Sequence, residues 1–138
     1  MLKDAMGGYR GTATEISRVI AEHPDNAEAY YDRGNARSSC DDYEGAIADF
    51  TMALKVGLRF REAITAYGNR GIARVESGDM EGAIQDFSEI IKRKPTNRRL
   101  LSTAYKNRAL VKEKMGDSEG GAGDRKMAHL LSPDVNTQ

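Results

Sequence analysis

Residues 69–87, "NRGIARVESGDMEGAIQDF", restate in edited form what residues 32–50, "DRGNARSSCDDYEGAIADF", have already spelled. A looser third version starts at "AYKNRALV" (104–111), which lines up with "AYYDRGNA" (29–36) and "AYGNRGIA" (66–73). From Tyr30 to Tyr67 is 37 positions (67 − 30), and from Tyr67 to Tyr105 is 38 (105 − 67). Other landmarks keep that offset: Gly34, Gly71 and Ala109; the turn pairs Asp41-Asp42, Gly78-Asp79 and Gly116-Asp117; Ala46, Ala83 and Gly121; and Phe50, Phe87 and Arg125. A fixed period of this size marks a chain built from stacked supersecondary units.

Within each unit the apolar residues recur at helical spacing. In "YEGAIADFTMAL" (43–54), Ala46, Ile47, Phe50, Ala53 and Leu54 fall on one face. Each unit therefore reads as helix, short turn, helix. Its small residues let two helices approach closely, and its large ones fill the groove between neighbours. One such pair cannot bury its apolar face, whereas a stack can.

The pattern resembles the tetratricopeptide repeat. The middle copy carries the family's aromatic and small residue in its first helix (Tyr67, Gly71), its turn (Gly78-Asp79), its second-helix Ala and aromatic (Ala83, Phe87) and its closing proline (Pro95). The resemblance implies an all-α fold, a right-handed superhelix of antiparallel helix pairs. This α-solenoid would have about seven helices in one domain: a half-repeat helix at 9–24, repeats at 27–60, 61–97 and 98–133, and a tail at 134–138. The surplus over the family's usual length lies in "GLRFREAITAY" (57–67) and "TNRRLLSTAY" (96–105), read as extra N-terminal turns on the first helices of repeats two and three.

The two ends differ in kind. "GGYRGTATEISRVIAEHPDN" (7–26) fits the frame as a lone second helix, with Tyr9, Ile16 and Pro24 matching Tyr43, Phe50 and Pro95. That half-repeat is either a cap or the edge of a longer protein. At the other end Arg125 replaces the buried aromatic, with Gly120, Gly121 and Gly123 nearby, as suits a terminal unit with a polar outer face.

Two recurrent sets read as structural. Arg33, Arg70 and Arg108 precede the small residue, and Asp49, Asp86 and Asp124 follow sixteen positions later, so each pair is expected to join the two helices of its own repeat. Tyr30, Tyr67 and Tyr105 are expected in the core, with Met52, Met80, Met115 and Met127 as filler.

In the resembled family the first helices line a concave groove that holds a partner peptide. Stepping by three and four away from the tyrosines projects that groove onto Glu28, Tyr31, Asn35 and Ser38, then Thr65, Gly68, Ile72 and Val75 with Glu76 beside them. On the third repeat it gives Thr103, Lys106, Leu110 and Glu113, beside Lys114. The expected peptide-binding set is Tyr31, Asn35, Ser38, Gly68, Ile72, Val75, Lys106, Leu110 and Glu113, with Tyr31 exposed. Ile72, Val75 and Leu110 are apolar where a solvated groove would be polar, which suits an amphipathic or extended segment. Asn35 and Lys106 match two members of the set with which one branch of the family grips C-terminal carboxylates. Tyr31, Ile72 and Leu110 stand where other members belong, leaving that clamp incomplete.

The 21 basic and 21 acidic residues cancel overall but not locally. Residues 13–50 hold nine acids against three bases, and residues 92–126 hold eleven bases against four acids, including Lys92, Arg93, Lys94, Arg98 and Arg99. Neutrality argues against a general nucleic-acid binder, and the basic cluster lacks interleaved aromatics. No apolar run is long enough to cross a membrane. The lone Cys40 fits a reducing, cytoplasmic setting. Two histidines, His23 and His129, and glycine-rich stretches without a phosphate-loop signature suggest neither enzyme, metal nor cofactor. The expected role is an adaptor or scaffold binding a protein or peptide. The alternatives are a self-assembly module, a homo-oligomer formed through the N-terminal half-repeat, and a regulatory domain of a larger protein.

Overall fold

Asp42, Asp79 and Asp117 show how the units are punctuated. Each stands at a helix N-cap, where its carboxylate accepts the backbone N–H of Gly45, Gly82 or Gly120 at 2.9–3.0 Å. The residue before each cap is left-handed, with φ of 61° at Asp41, 94° at Gly78 and 90° at Gly116. A left-handed residue ends one helix and the aspartate behind it starts the next, giving the tightest reversal between two helices.

The computed structural model describes residues 7–132, with side chains from Thr12 to Ser132. The expected role of Tyr9 rests on a side chain outside those described, and the 134–138 tail lies outside the described residues. Seven helices and no strand occur among those described. They are α1 (Gly7–Glu22), α2 (Ala27–Ser39), α3 (Tyr43–Val56), α4 (Phe60–Ser77), α5 (Met80–Arg93), α6 (Arg98–Lys114) and α7 (Ser118–Leu131). Each packs mainly on its sequence neighbours, and α2 also meets α4. The result is an α-solenoid in which α2, α4 and α6 form one layer and α1, α3, α5 and α7 the other. At 18 and 17 residues, α4 and α6 outrun the 13-residue α2 by about a turn.

Two phenylalanines anchor the stack. Phe50 and Phe87 are essentially inaccessible, each burial contributing about 2–3 kcal/mol. Phe50 joins Ala46 on α3 to Ala66 on α4, and Phe87 gathers Ile64, Ala83, Ile90, Ala104 and Val111. The glycines opposite make room: a Cβ on Gly34 would lie 2.8 Å from Phe50 Cε1, and one on Gly71 would lie 2.7 Å from Phe87 Cε1. The third unit has alanine there, with Arg125 in place of the ring.

The aspartates expected to pair do so bidentately. Arg33 reaches Asp49 at 2.7 and 2.8 Å, Arg70 reaches Asp86 at 2.6 and 3.0 Å, and Arg108 reaches Asp124 at 2.7 and 2.8 Å. Each aspartate also takes a second cation one turn along, from Arg37, Arg74 or Lys112 at 3.0–3.2 Å. Each arginine further donates to a hydroxyl on the preceding repeat's second helix: Ser17, Thr51 or Ser88 at 3.0–3.1 Å. It thereby ties three helices together, which fixes the angle between successive units. Burial pushes the Asp124 carboxyl up, but hydrogen bonds from Arg108 and Lys112 outweigh it and hold it below the ordinary aspartate range. Hydrogen bonds to Asp49 and Asp124 raise Arg33 and Arg108.

Some core expectations need correcting. Of the repeat tyrosines only Tyr30 is buried; Tyr67 and Tyr105 are half-buried, roofed by Arg70 at 5.5 Å and Arg108 at 5.6 Å from the ring centroids. Met115 and Met127 are exposed rather than filler: Met115 caps α6 in the turn, where the equivalent Ser77 is exposed as well, and Met127 lies on α7, the last helix described.

Candidate groove between the first helices

Because α4 and α6 lie side by side in the same layer, the residues facing outward between them form the walls of a trough. At one end a pocket of about 260 Å³ is lined by Ile72, Val75, Glu76, Asn107, Leu110 and Lys114, over Phe87 and Val111. In the middle a smaller pocket of about 140 Å³ is bounded by Thr65, Gly68, Asn69, Leu100 and Thr103, over Ile64, Ile90 and Ala104. A parallel hollow of about 360 Å³ between α2 and α4 is polar, with Asn35, Ser38, Ser39, Tyr43, Asn69 and Glu76 around Ile72. Asn69 Nδ2 donates to Asn35 Oδ1 at 2.9 Å, bridging the two hollows' shared wall.

Of the projected set, Gly68, Ile72, Val75 and Leu110 line the α4–α6 trough, while Asn35 and Ser38 line the α2–α4 hollow that Ile72 also borders. Ile72 and Leu110 are each 48% exposed, while Val75 is half-buried and packs on the core around Phe87. Three residues are placed differently. Tyr31 is half-buried, its ring 6.1 Å from Phe50 and tilted 58° to it, because the small residues around Phe50 leave space that the tyrosine fills. Glu113 turns toward α7, where both carboxylate oxygens accept from Arg125 at 2.7 Å. That arginine holds the Glu113 carboxyl below its usual range. Lys106 is exposed but not among the trough residues; Asn107 lines the wall instead.

The sequence projection missed Asn69 and Asn107. They occupy equivalent positions, 38 apart, and that periodicity was the signal available. On α6 the projected Thr103 and Leu110 line the trough, as does Lys114, which was set beside them, whereas Lys106 gives way to its neighbour Asn107 and Glu113 pairs with Arg125 instead.

Among the described residues, no group of three His, Cys, Asp or Glu side chains is placed to hold a metal ion. Nor is any helix among them long and apolar enough to cross a membrane.

A stack of antiparallel helix hairpins with a ligand-sized trough in one layer defines a helical-repeat protein of the kind that binds other proteins. Residues 27–56 and 64–97 match the family model for the tetratricopeptide repeat, and the chain belongs to that family. No curated protein matches it in sequence. Among solved structures, the crystal structure of MamA protein superposes with a TM-score of 0.79 at 23% identity, over 91% of this chain and 64% of that one. A second MamA crystal structure gives 0.80 at 23% identity, over 91% and 69%. The MamA RS-1 ArsTM double mutant gives 0.80 at 15%, over 96% and 70%. At these identities the likeness is one of fold. The chain spans a little under two thirds of the length of the first of these.

Proposed function

We propose that the protein is a cytoplasmic, non-catalytic adaptor that holds a peptide or helical segment of a partner protein in the trough between α4 and α6. The observation that supports this most is the pair Ile72 and Leu110, large apolar side chains half in solvent across the trough, over a floor already packed. Covering them removes apolar surface from water without disturbing the core. Asn69, Asn107, Glu76 and Lys114 supply the polar contacts that fix a partner's register.

Replacing Ile72 and Leu110 together by aspartate is expected to weaken partner binding about a hundredfold. The partner would be isolated from native extract on the wild-type chain, and the far-UV circular dichroism of the variant should stay unchanged. Loss of helicity in the double variant would make the two residues core and remove the groove's main support.

A second reading, self-assembly, is favoured by the charge asymmetry between an acidic residue 13–50 segment and a basic residue 92–126 segment. Light scattering across about 5–500 µM at two salt concentrations separates the two readings, since a head-to-tail complex held by these charges dissociates in salt.

A further inference from the structure

Nine large apolar side chains are exposed among the described residues, and four of them, Phe60, Leu100, Ile72 and Leu110, line one continuous depression. The pocket around Ile72 and Leu110 shares Ile72, Phe87 and Asn107 with the middle pocket. The middle pocket in turn shares Ile64, Thr65 and Leu100 with a mouth of about 490 Å³ at the start of α4 and α6. The trough therefore runs parallel to the helices. From Phe60 to Glu76 it follows α4 for sixteen residues, about 24 Å at 1.5 Å per residue.

Its two ends are charged differently. At the far end Glu76 and Lys114 balance. At the mouth Arg61 is part of the wall, and Arg59 and Arg99, both exposed, adjoin the lining residues Phe60 and Leu100. Arg98, also there, is engaged with the Leu130 and Leu131 carbonyls of α7. The acid on the first turn of α4, Glu62, is half-buried and does not line the mouth. The mouth beside the exposed Phe60 thus has one basic wall residue, Arg61, with exposed Arg59 and Arg99 next to its lining in sequence and no acid in the lining.

The walls also choose a conformation. The exposed Phe60, Leu100, Ile72 and Leu110 make an apolar strip along the seam, edged by Thr65, Asn69, Thr103 and Asn107. Such a strip matches the apolar stripe of a helix, which pairs its own backbone N–H and C=O groups. Resting on the groove reading above, we infer that the occupant is an amphipathic helix of a partner protein, about four turns long. It lies along the α4–α6 seam with its apolar face on Phe60, Leu100, Ile72 and Leu110 and its acidic end at Arg59, Arg61 and Arg99.

The test uses the whole chain as bait for a displayed library of random 16-residue peptides, with the Ile72→Asp/Leu110→Asp variant as counter-bait. Peptides enriched on the wild type should carry apolar residues at i, i+3, i+4 and i+7 and a cluster of Asp or Glu at one end. They should gain helical circular dichroism on binding. Reversing two rim charges, Arg61→Glu with Arg99→Glu, should weaken the best of them by roughly tenfold and make its loss of binding in salt shallower. Among the described residues only the backbones of these arginines hydrogen-bond, Arg61 O accepting from Thr65 and Arg99 N–H donating to Asn97, which side-chain reversal leaves in place, and an unchanged thermal transition verifies that the variant is folded. Enriched peptides that bind extended, or without acidic bias and indifferent to the rim variant, overturn the inference and leave the groove reading standing. No enrichment over the counter-bait overturns both. A dimer dissociated by the counter-bait substitutions, with no peptide enriched, assigns the trough to a second copy of the chain and also overturns the inference.

Discussion

Asp124 sits almost out of solvent between Arg108 and Lys112. Such a site stabilises the fold only while the carboxylate is ionised. Its folded value is depressed, so its contribution is complete above the ordinary aspartate range and is lost as pH falls through the lowered value. Asp124→Asn should therefore cost about 2–3 kcal/mol near neutral pH, and the gap to wild type should close as urea unfolding is repeated at progressively lower pH below about 4. A gap that stays constant with pH would mean that shape, not charge, holds α6 to α7. The glycines test packing at the same scale. Gly71→Ala places a methyl 2.7 Å from Phe87 Cε1, and overpacking of about 1–3 kcal/mol should outweigh the roughly 1 kcal/mol that alanine gains in helix propensity. In a Phe87→Leu background the penalty should shrink, which denaturation of the four chains of that cycle would measure. Much at this scale was legible in the sequence, because Gly34/Phe50 and Gly71/Phe87 recur together and Arg–Asp pairs recur sixteen apart. The second cations and the bridging hydroxyls were equally periodic, since Arg37, Arg74 and Lys112 lie one turn after the first arginines. Ser17, Thr51 and Ser88 directly follow Ile16, Phe50 and Phe87, and Lys126 breaks the series after Arg125.

At the scale of the element, α7 carries three glycines, Gly120, Gly121 and Gly123, within its first two turns. Its glycines are not equivalent, however. A Cβ on Gly120 would fall 2.2 Å from the capping Asp117 Oδ2, and one on Gly121 would fall 2.6 Å from Glu113 Cγ, but nothing lies within 4 Å of a Cβ on Gly123. Gly123→Ala should therefore stabilise the chain by about 0.5–1 kcal/mol, a rise of about 2–4 °C in Tm, read by differential scanning calorimetry. An unchanged or lower Tm would show that α7 does not limit unfolding. Helix rotation is also where the sequence was least informative about the groove. One residue is 100° of turn, so a projection by threes and fours leaves open which of two adjacent residues faces the groove. On α6 it set Thr103, Leu110 and Lys114 in the trough but took Lys106 for its neighbour Asn107. On α2 it placed Tyr31 in the open, because nothing local distinguishes a ring facing Phe50 from one facing solvent.

For the whole molecule, the stack of hairpins followed from the period, whereas the trough followed only from setting α4 beside α6. Phe60 and Leu100 belong to the extra turns of those two helices, forty residues apart in sequence, and no periodic rule joins them. Their meeting extends an inter-helix crevice into a surface long enough for a partner segment. The central claim is that this surface is the binding site, and amide chemical-shift mapping of the ¹⁵N-labelled chain, titrated with the best wild-type-selected peptide, tests it most directly. Shifts should trace α4 from Phe60 to Glu76 and α6 from Leu100 to Lys114, leaving α1 and the outward face of α7 unmoved. Shifts concentrated on α1 or α7, with Ile72 and Leu110 silent, would contradict it.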